Sequence, residues 1–130
     1  FTVSLGTLVP LQKAVSGVVL LAYQSAETRE HWLSQTKATR AELAYLKKSW
    51  PTALKDGFFT QESKTMLGVT ELAFPIFGHT GNAVATVSVP ISGTVSGKSA
   101  IEDHLQAARE AALRISRQIG WHGESAASQT

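Results

Sequence analysis

Glu71 stands in the middle of an otherwise apolar run, Val69 to Phe77. On the open side of a sheet it is an ordinary solvated carboxylate. In a cavity the same charge needs a partner or a ligand. Two further polar features can share a cavity with it. Ser88 lies in the next apolar segment, and Ser16-Gly17 precedes the run Val18 to Tyr23, where a helix is expected to begin. A helix start carries unpaired backbone N–H groups and a partial positive charge, which suits a carboxylate or another anion. The chemistry within reach of these residues is recognition of a small polar molecule.

Other chemistries find less support. His31, His79, His104 and His122 are the only histidines, and no pair has the spacing of helical metal ligands, so no metal is expected. With no cysteine there is no disulfide framework, thiolate nucleophile or Cys-ligated zinc. Ser16-Gly17 lacks the full Gly-x-Ser-x-Gly pattern of a nucleophile elbow and reads as a helix cap. The glycines Gly78 to Gly81 and Gly93 to Gly97 read as turn formers. Glu71 as the general base of a small hydrolase or isomerase needs a partner acid or a polarising group, and no His or second carboxylate is placed to help. The expectation is no enzyme, no catalytic residue and no cofactor.

These groups must be positioned by a small domain. The chain has 130 residues, 43% of them hydrophobic and 17% charged, enough for one domain with a real core. Its formal net charge is +2, and Lys and Arg are scattered, so there is no nucleic-acid footprint. No apolar run approaches the ~20 residues of a bilayer span; the longest candidate, Val18 to Ala22, is far shorter. The chain starts at Phe1 with no basic segment ahead of an apolar stretch. It is therefore expected to begin inside a longer gene product.

Phe1 to Leu11, rich in Val, Thr and Leu, reads as a strand reaching a turn near Pro10. Ser16 is expected to cap a short buried helix and Ser25 a second one carrying Trp32 and Leu33. Thr39-Arg40-Ala41-Glu42 is a capping box that starts a third helix, with Leu43 and Leu46 on one stripe. Pro51 is expected to break or kink that helix after Trp50, and Gly57 to end the helical region. Strands are expected at Phe58 to Glu62, Val69 to Phe77 and Ala83 to Ile91, the last two joined by a Gly-bounded hairpin loop. Alternation puts Leu72, Phe74 and Ile76 on an apolar face, and Glu71, Thr86, Ser88 and Pro90 on a mixed one. A second capping box, Ser99 to Glu102, opens a long helix whose stripe is Ile101, Leu105, Ala108, Ala112, Ile115 and Ile119. That stripe should cover the apolar sheet face. Gly120 is the stop, and 121–130 reads as a frayed tail. The elements make an α+β domain.

Several segments resemble a known family. Leu8-Val9-Pro10-Leu11 with Ser16-Gly17 and Leu20-Leu21-Ala22 is similar to "PLH", a few residues, "GKA" and "LA". Gly57-Phe58-Phe59, Gly68-Val69 and Leu72-Ala73-Phe74-Pro75-Ile76-Phe77 resemble "GYA", "GV" and "IAAPIF". Ala85 to Val89 resembles the strand "AALSVSGP", and Ile115-Ser116 with Ile119-Gly120 resembles the closing "IS…LG". Together, over about Gly6 to Gly120, these resemble the C-terminal effector-binding domain of IclR-type bacterial transcriptional regulators.

The resemblance implies a GAF-like sensor in the cytoplasm, spanning 1–120 and lacking its first strands. It implies a small organic metabolite as effector, often a carboxylate or aromatic compound. It also implies a homodimer or homotetramer, and DNA contact only through an N-terminal winged helix-turn-helix domain. A stand-alone GAF-like or PAS-like module without DNA is the alternative. The family's pocket positions fall on Val15, Ser16, Gly17, Gln61, Glu71, Ser88 and Pro90, with apolar walls from Val15, Val69 and Ala73. The chain departs from the family pattern at Val18-Val19, Gln61, Lys64, Glu71 and Pro90. The pocket polarity is thus rearranged, and the expected ligand presents a hydroxyl, an amine or an aromatic part to Glu71.

Overall fold

The computed structural model describes residues 4–64, 66–92 and 98–123, with backbone alone at 98–101. A 3-10 turn at Leu11–Lys13 leads into helices α1 (Val15–Ala22), α2 (Ala26–Gln35) and α3 (Arg40–Asp56). Strands β1 (Phe59–Glu62), β2 (Val69–Phe77) and β3 (Ala83–Ser92) follow, and then helix α4 (Lys98–Gln118). The strands form one antiparallel sheet in the order β1-β2-β3. The architecture is α+β.

Local chemistry explains most boundaries. Thr39 Oγ1 accepts the Glu42 N–H at 3.1 Å while Glu42 Oε1 accepts the Thr39 N–H at 2.9 Å, a closed capping box for α3. Ser25 Oγ accepts the Thr28 N–H at 3.1 Å and caps α2. Gly57 ends α3 at φ 83°, a left-handed position that glycine enters without strain. After α4, the Gly120 N–H bonds Arg117 O at 3.3 Å and the Trp121 N–H bonds Ser116 O at 2.9 Å, the paired bonds of a Schellman motif.

β2 is packed on both faces. Leu72, Phe74 and Ile76 meet Ala108 and Ala112 of α4, as the alternation predicts. Ala73 and Phe77 meet Val15, Val18, Val19 and Leu21 of α1, so the mixed face is partly roofed rather than open. Burying side chains of this size contributes about 1.5–3 kcal/mol each. The register sets Glu71 opposite Pro90, Ala73 opposite Ser88 and Pro75 opposite Thr86. Neither proline can donate, so these are the non-hydrogen-bonded pairs of the ladder, where facing side chains stand closest. Pro75 is tolerated because β1 pairs with β2 only as far as Ala73.

Four expectations are corrected. Residues 4–10 form no strand, and Leu5 and Leu8 are 103% and 94% exposed, with nothing packed on them; 1–3 lie outside the described residues. Helix α1 starts two residues early: Ala14 occupies the cap position without a side-chain bond, and Ser16 sits inside the helix. Pro51 does not break α3, which runs on to Asp56 and stops at Gly57 as expected. Pro51 and Lys47 are exposed, so the carbonyl that loses its donor opens to water, while buried Leu46 and Ala53 hold both halves of the helix down. On α4 the buried line is Leu105, Ala108, Ala112 and Ser116, whereas Ile115 and Ile119 are 37% and 48% exposed. The bulge at Ile76/Phe77 leaves the Phe77 N–H in need of an acceptor, and Ser116 supplies it.

The second capping box, Ser99 to Glu102, has its capping side chain, Ser99, outside the described residues. Trp121, expected at the head of a loose tail, stacks on Phe77 with ring centroids 5.1 Å apart.

Candidate ligand-binding site

A cleft of about 420 Å³ opens where the Leu11–Lys13 turn and the start of α1 lie against the β2–β3 pair. That volume suits one small organic molecule. Three elements position its polar groups. The turn brings Lys13, α1 brings Val15 and Ser16, and the hairpin brings Glu71, Ser88 and Pro90 on neighbouring register positions.

Two of the sequence-predicted residues do not line it. Gly17 is buried against the turn, and a Cβ there would overlap the Leu11 carbonyl oxygen. Its N–H is already bonded to Ala14 O at 3.0 Å. The amides left to meet an anion at the helix start are therefore those of Val15 and Ser16. Gln61 pairs with Glu71 in register, but its Oε1 accepts from the Tyr45 hydroxyl at 2.9 Å. Burial pushes the Tyr45 phenol up, so it keeps its proton and its donor role. Of the expected apolar walls, Val15 lines the cleft. Ala73 is fully buried among the core residues that include α1, and Val9, Met66 and Val89 stand where Val69 was expected.

Lys13 and Met66 escape sequence reading, because a 3-10 turn and a loop bring them in from outside any periodic element. The one signal for Lys13 is its position two residues ahead of the helix.

The polar groups have a definite character. Ser16 Oγ and Ser88 Oγ are 3.1 Å apart, Thr86 Oγ1 donates to Ser16 Oγ at 3.0 Å, and Thr86 Oγ1 and Ser88 Oγ are 3.1 Å apart. Three hydroxyls in a closed triangle spend their three protons on one another and keep lone pairs to offer outward. Glu71 is half-buried, and among the described residues it meets no protein donor or cation at bonding distance. Its partner across the ladder, Pro90, has no N–H to give.

No group of three or more His, Cys, Asp or Glu among the described residues could hold a metal ion. No described helix is long and apolar enough to cross a membrane.

Comparison with known proteins decides the family. The model of the bacterial transcriptional regulator IclR C-terminal family matches residues 1–117. The chain belongs to the IclR C-terminal family. Its family is one of transcription regulators and not of enzymes. Among solved structures it is similar to an IclR-type regulator of Silicibacter sp., with 18% identity, TM-score 0.79, and 94% of this chain and 50% of that one covered. It is also similar to the IclR of Thermotoga maritima at 25% identity and TM-score 0.78, covering 93% and 51%. The inducer-binding domain of PobR from Acinetobacter, solved as a double mutant with 3-hydroxybenzoic acid, matches at 18% identity and TM-score 0.67, covering 87% and 69%. The chain spans about half the length of the first two. A search of curated protein sequences finds no match.

The IclR C-terminal fold accounts for the cleft's location. A helix laid on one face of an antiparallel sheet cannot cover the whole of it, and the uncovered part of the face becomes a concavity.

Proposed function

We propose that this IclR C-terminal domain is an effector sensor. A small organic metabolite occupies the cleft, and its binding biases an N-terminal winged helix-turn-helix domain of the same regulator between DNA-binding states. The regulator works in the cytoplasm as a homodimer or homotetramer. The observation that carries this reading is the convergence of Val15, Ser16, Glu71, Ser88 and Pro90, distant in sequence, on one cleft. The 3-hydroxybenzoic acid complex of the PobR domain supports it as an example of a small acid held by the same fold.

The mechanism is a population shift. An effector that binds one arrangement of cleft and interface better than another moves the equilibrium by its differential affinity, typically ~1–3 kcal/mol. Ser16 and Ser88 orient polar groups, the α1 amides receive an anionic end, and Val15 packs against the ligand's body. The test is a thermal-shift screen of small organic acids, amines and aromatic compounds. Compounds that raise Tm should lose that shift in Ser16→Val and Ser88→Val. If every hit keeps its shift in both variants, the cleft is not the effector site.

A further inference from the structure

We propose that the cleft selects a zwitterion: a ligand with a protonated amine facing Glu71 and a carboxylate facing Lys13 and the start of α1. This rests on the reading of the cleft as the effector site and names the chemical class it takes.

The acceptors come first. Glu71 is a half-buried carboxylate on the cleft wall without a protein donor among the described residues. Ala73, opposite Ser88, lies two residues along β2, so the Glu71 level and the hydroxyl triangle are about 7 Å apart along the sheet. Thr86 donates to Ser16 in the triangle, and Ser16 and Ser88 line the cleft. The Glu71 end of the cleft thus asks for a group with several donors and a positive charge. A primary ammonium, with three N–H bonds, answers it; a second carboxylate does not, because it meets acceptors and like charge alone.

The donors lie at the other end of the cleft from Glu71, where the turn and α1 meet β3 beside the hydroxyl triangle. Lys13 lines the same cleft from the 3-10 turn, and the Val15 and Ser16 amides lie at the positive end of α1. A carboxylate there gains a charge-assisted hydrogen bond and the helix-end field. Lys13 and Glu71 both line the cleft without pairing with each other; Lys13 also acts at a distance on the Glu42 carboxylate, so a ligand carboxylate competes with Glu42 for it. Val9, Met66 and Val89 give the space between an apolar surface, suited to an aliphatic or aromatic spacer.

Calorimetry with a matched set tests this: 4-(aminomethyl)benzoate, 4-methylbenzoate and benzylamine, joined by straight-chain amino acids with two to six carbons between the charged groups. A charge-assisted bond contributes roughly ten- to hundredfold in affinity. The amino carboxylates should bind at least tenfold tighter than the acid or the amine alone. Glu71→Gln should erase the advantage over the plain acid while sparing 4-methylbenzoate. Lys13→Met should erase the advantage over the plain amine while sparing benzylamine. If 4-methylbenzoate binds as tightly as its amino analogue and Ser16→Val abolishes both, the cleft remains the effector site and the zwitterion is wrong. If no member of the set binds, the zwitterion is wrong; if members bind and binding ignores all three substitutions, both readings fall.

Discussion

Ser116 is a serine at 0% exposure that joins α4 to the sheet. Its hydroxyl donates to Ala112 O at 2.7 Å and accepts the Phe77 N–H at 2.9 Å, which the bulge has taken out of the ladder. Ser116→Ala strands that buried N–H and should lower unfolding stability by about 1–3 kcal/mol in urea titration. A loss under a few tenths of that would mean water replaces the hydroxyl. At this scale the sequence was only partly legible. Glu71 and Ser88 stood out because they are polar in apolar runs, and alternation put them on one face. Ser116 hid behind Ile115, since a heptad count rewards the larger apolar residue and carries no record of a bulge in a distant strand. Gln61 was placed on the right strand, but its commitment to Tyr45 depends on a helix packing that no local pattern encodes.

Elements were more legible than contacts. The three strands of the sheet and the capping box of α3 are legible nearly as they stand, because hairpin alternation and a Thr-x-x-Glu signature act over a few residues. The helix through Pro51 is not, because tertiary burial of Leu46 and Ala53 overrides a local break. Arg29 shows the same kind of long-range support. Its Nε donates to Leu21 O at 2.9 Å, and Nη2 donates to Ala22 O and Gln24 O at 3.2 Å each, while the guanidinium lies 4.6 Å from the Trp50 ring centroid. One side chain of α2 thereby satisfies the last carbonyls of α1. Arg29→Gln should cost about 1.5–3 kcal/mol, and Arg29→Lys should recover only part of it, because a point charge cannot span three carbonyls.

The α3 cap also carries a pH dependence. Hydrogen bonding from the Thr39 backbone holds the Glu42 carboxyl below its ordinary range. A carboxyl depressed in the folded state contributes stability that is present above the unfolded value near pH ~4.3 and is lost as pH falls through the folded one. Far-UV melting of wild type should show that decline in acid. Glu42→Gln keeps a capping side chain without a titrating group and should flatten it.

Across the whole molecule, two layers meet on β2: α4 on one face, α1 on the other. The cleft lies at the edge of the second layer, so filling it changes what α1 rests on. A bound effector should therefore slow amide exchange in the Leu11–Lys13 turn and α1 more than in α4, which packs mainly on the opposite face. Uniform slowing in all helices would point to plain global stabilisation instead.

The seat of Leu11 on Gly17 makes this selective response mechanical. With no side chain between them, the turn's backbone bears directly on the helix, and there is no slack to absorb a push. A ligand bonded to Lys13 thus acts on a turn that is seated directly on α1. Gly17→Ala would wedge the two apart. It should reduce stability by about 1–3 kcal/mol and, in the same variant, uncouple motion of the turn from motion of the helix.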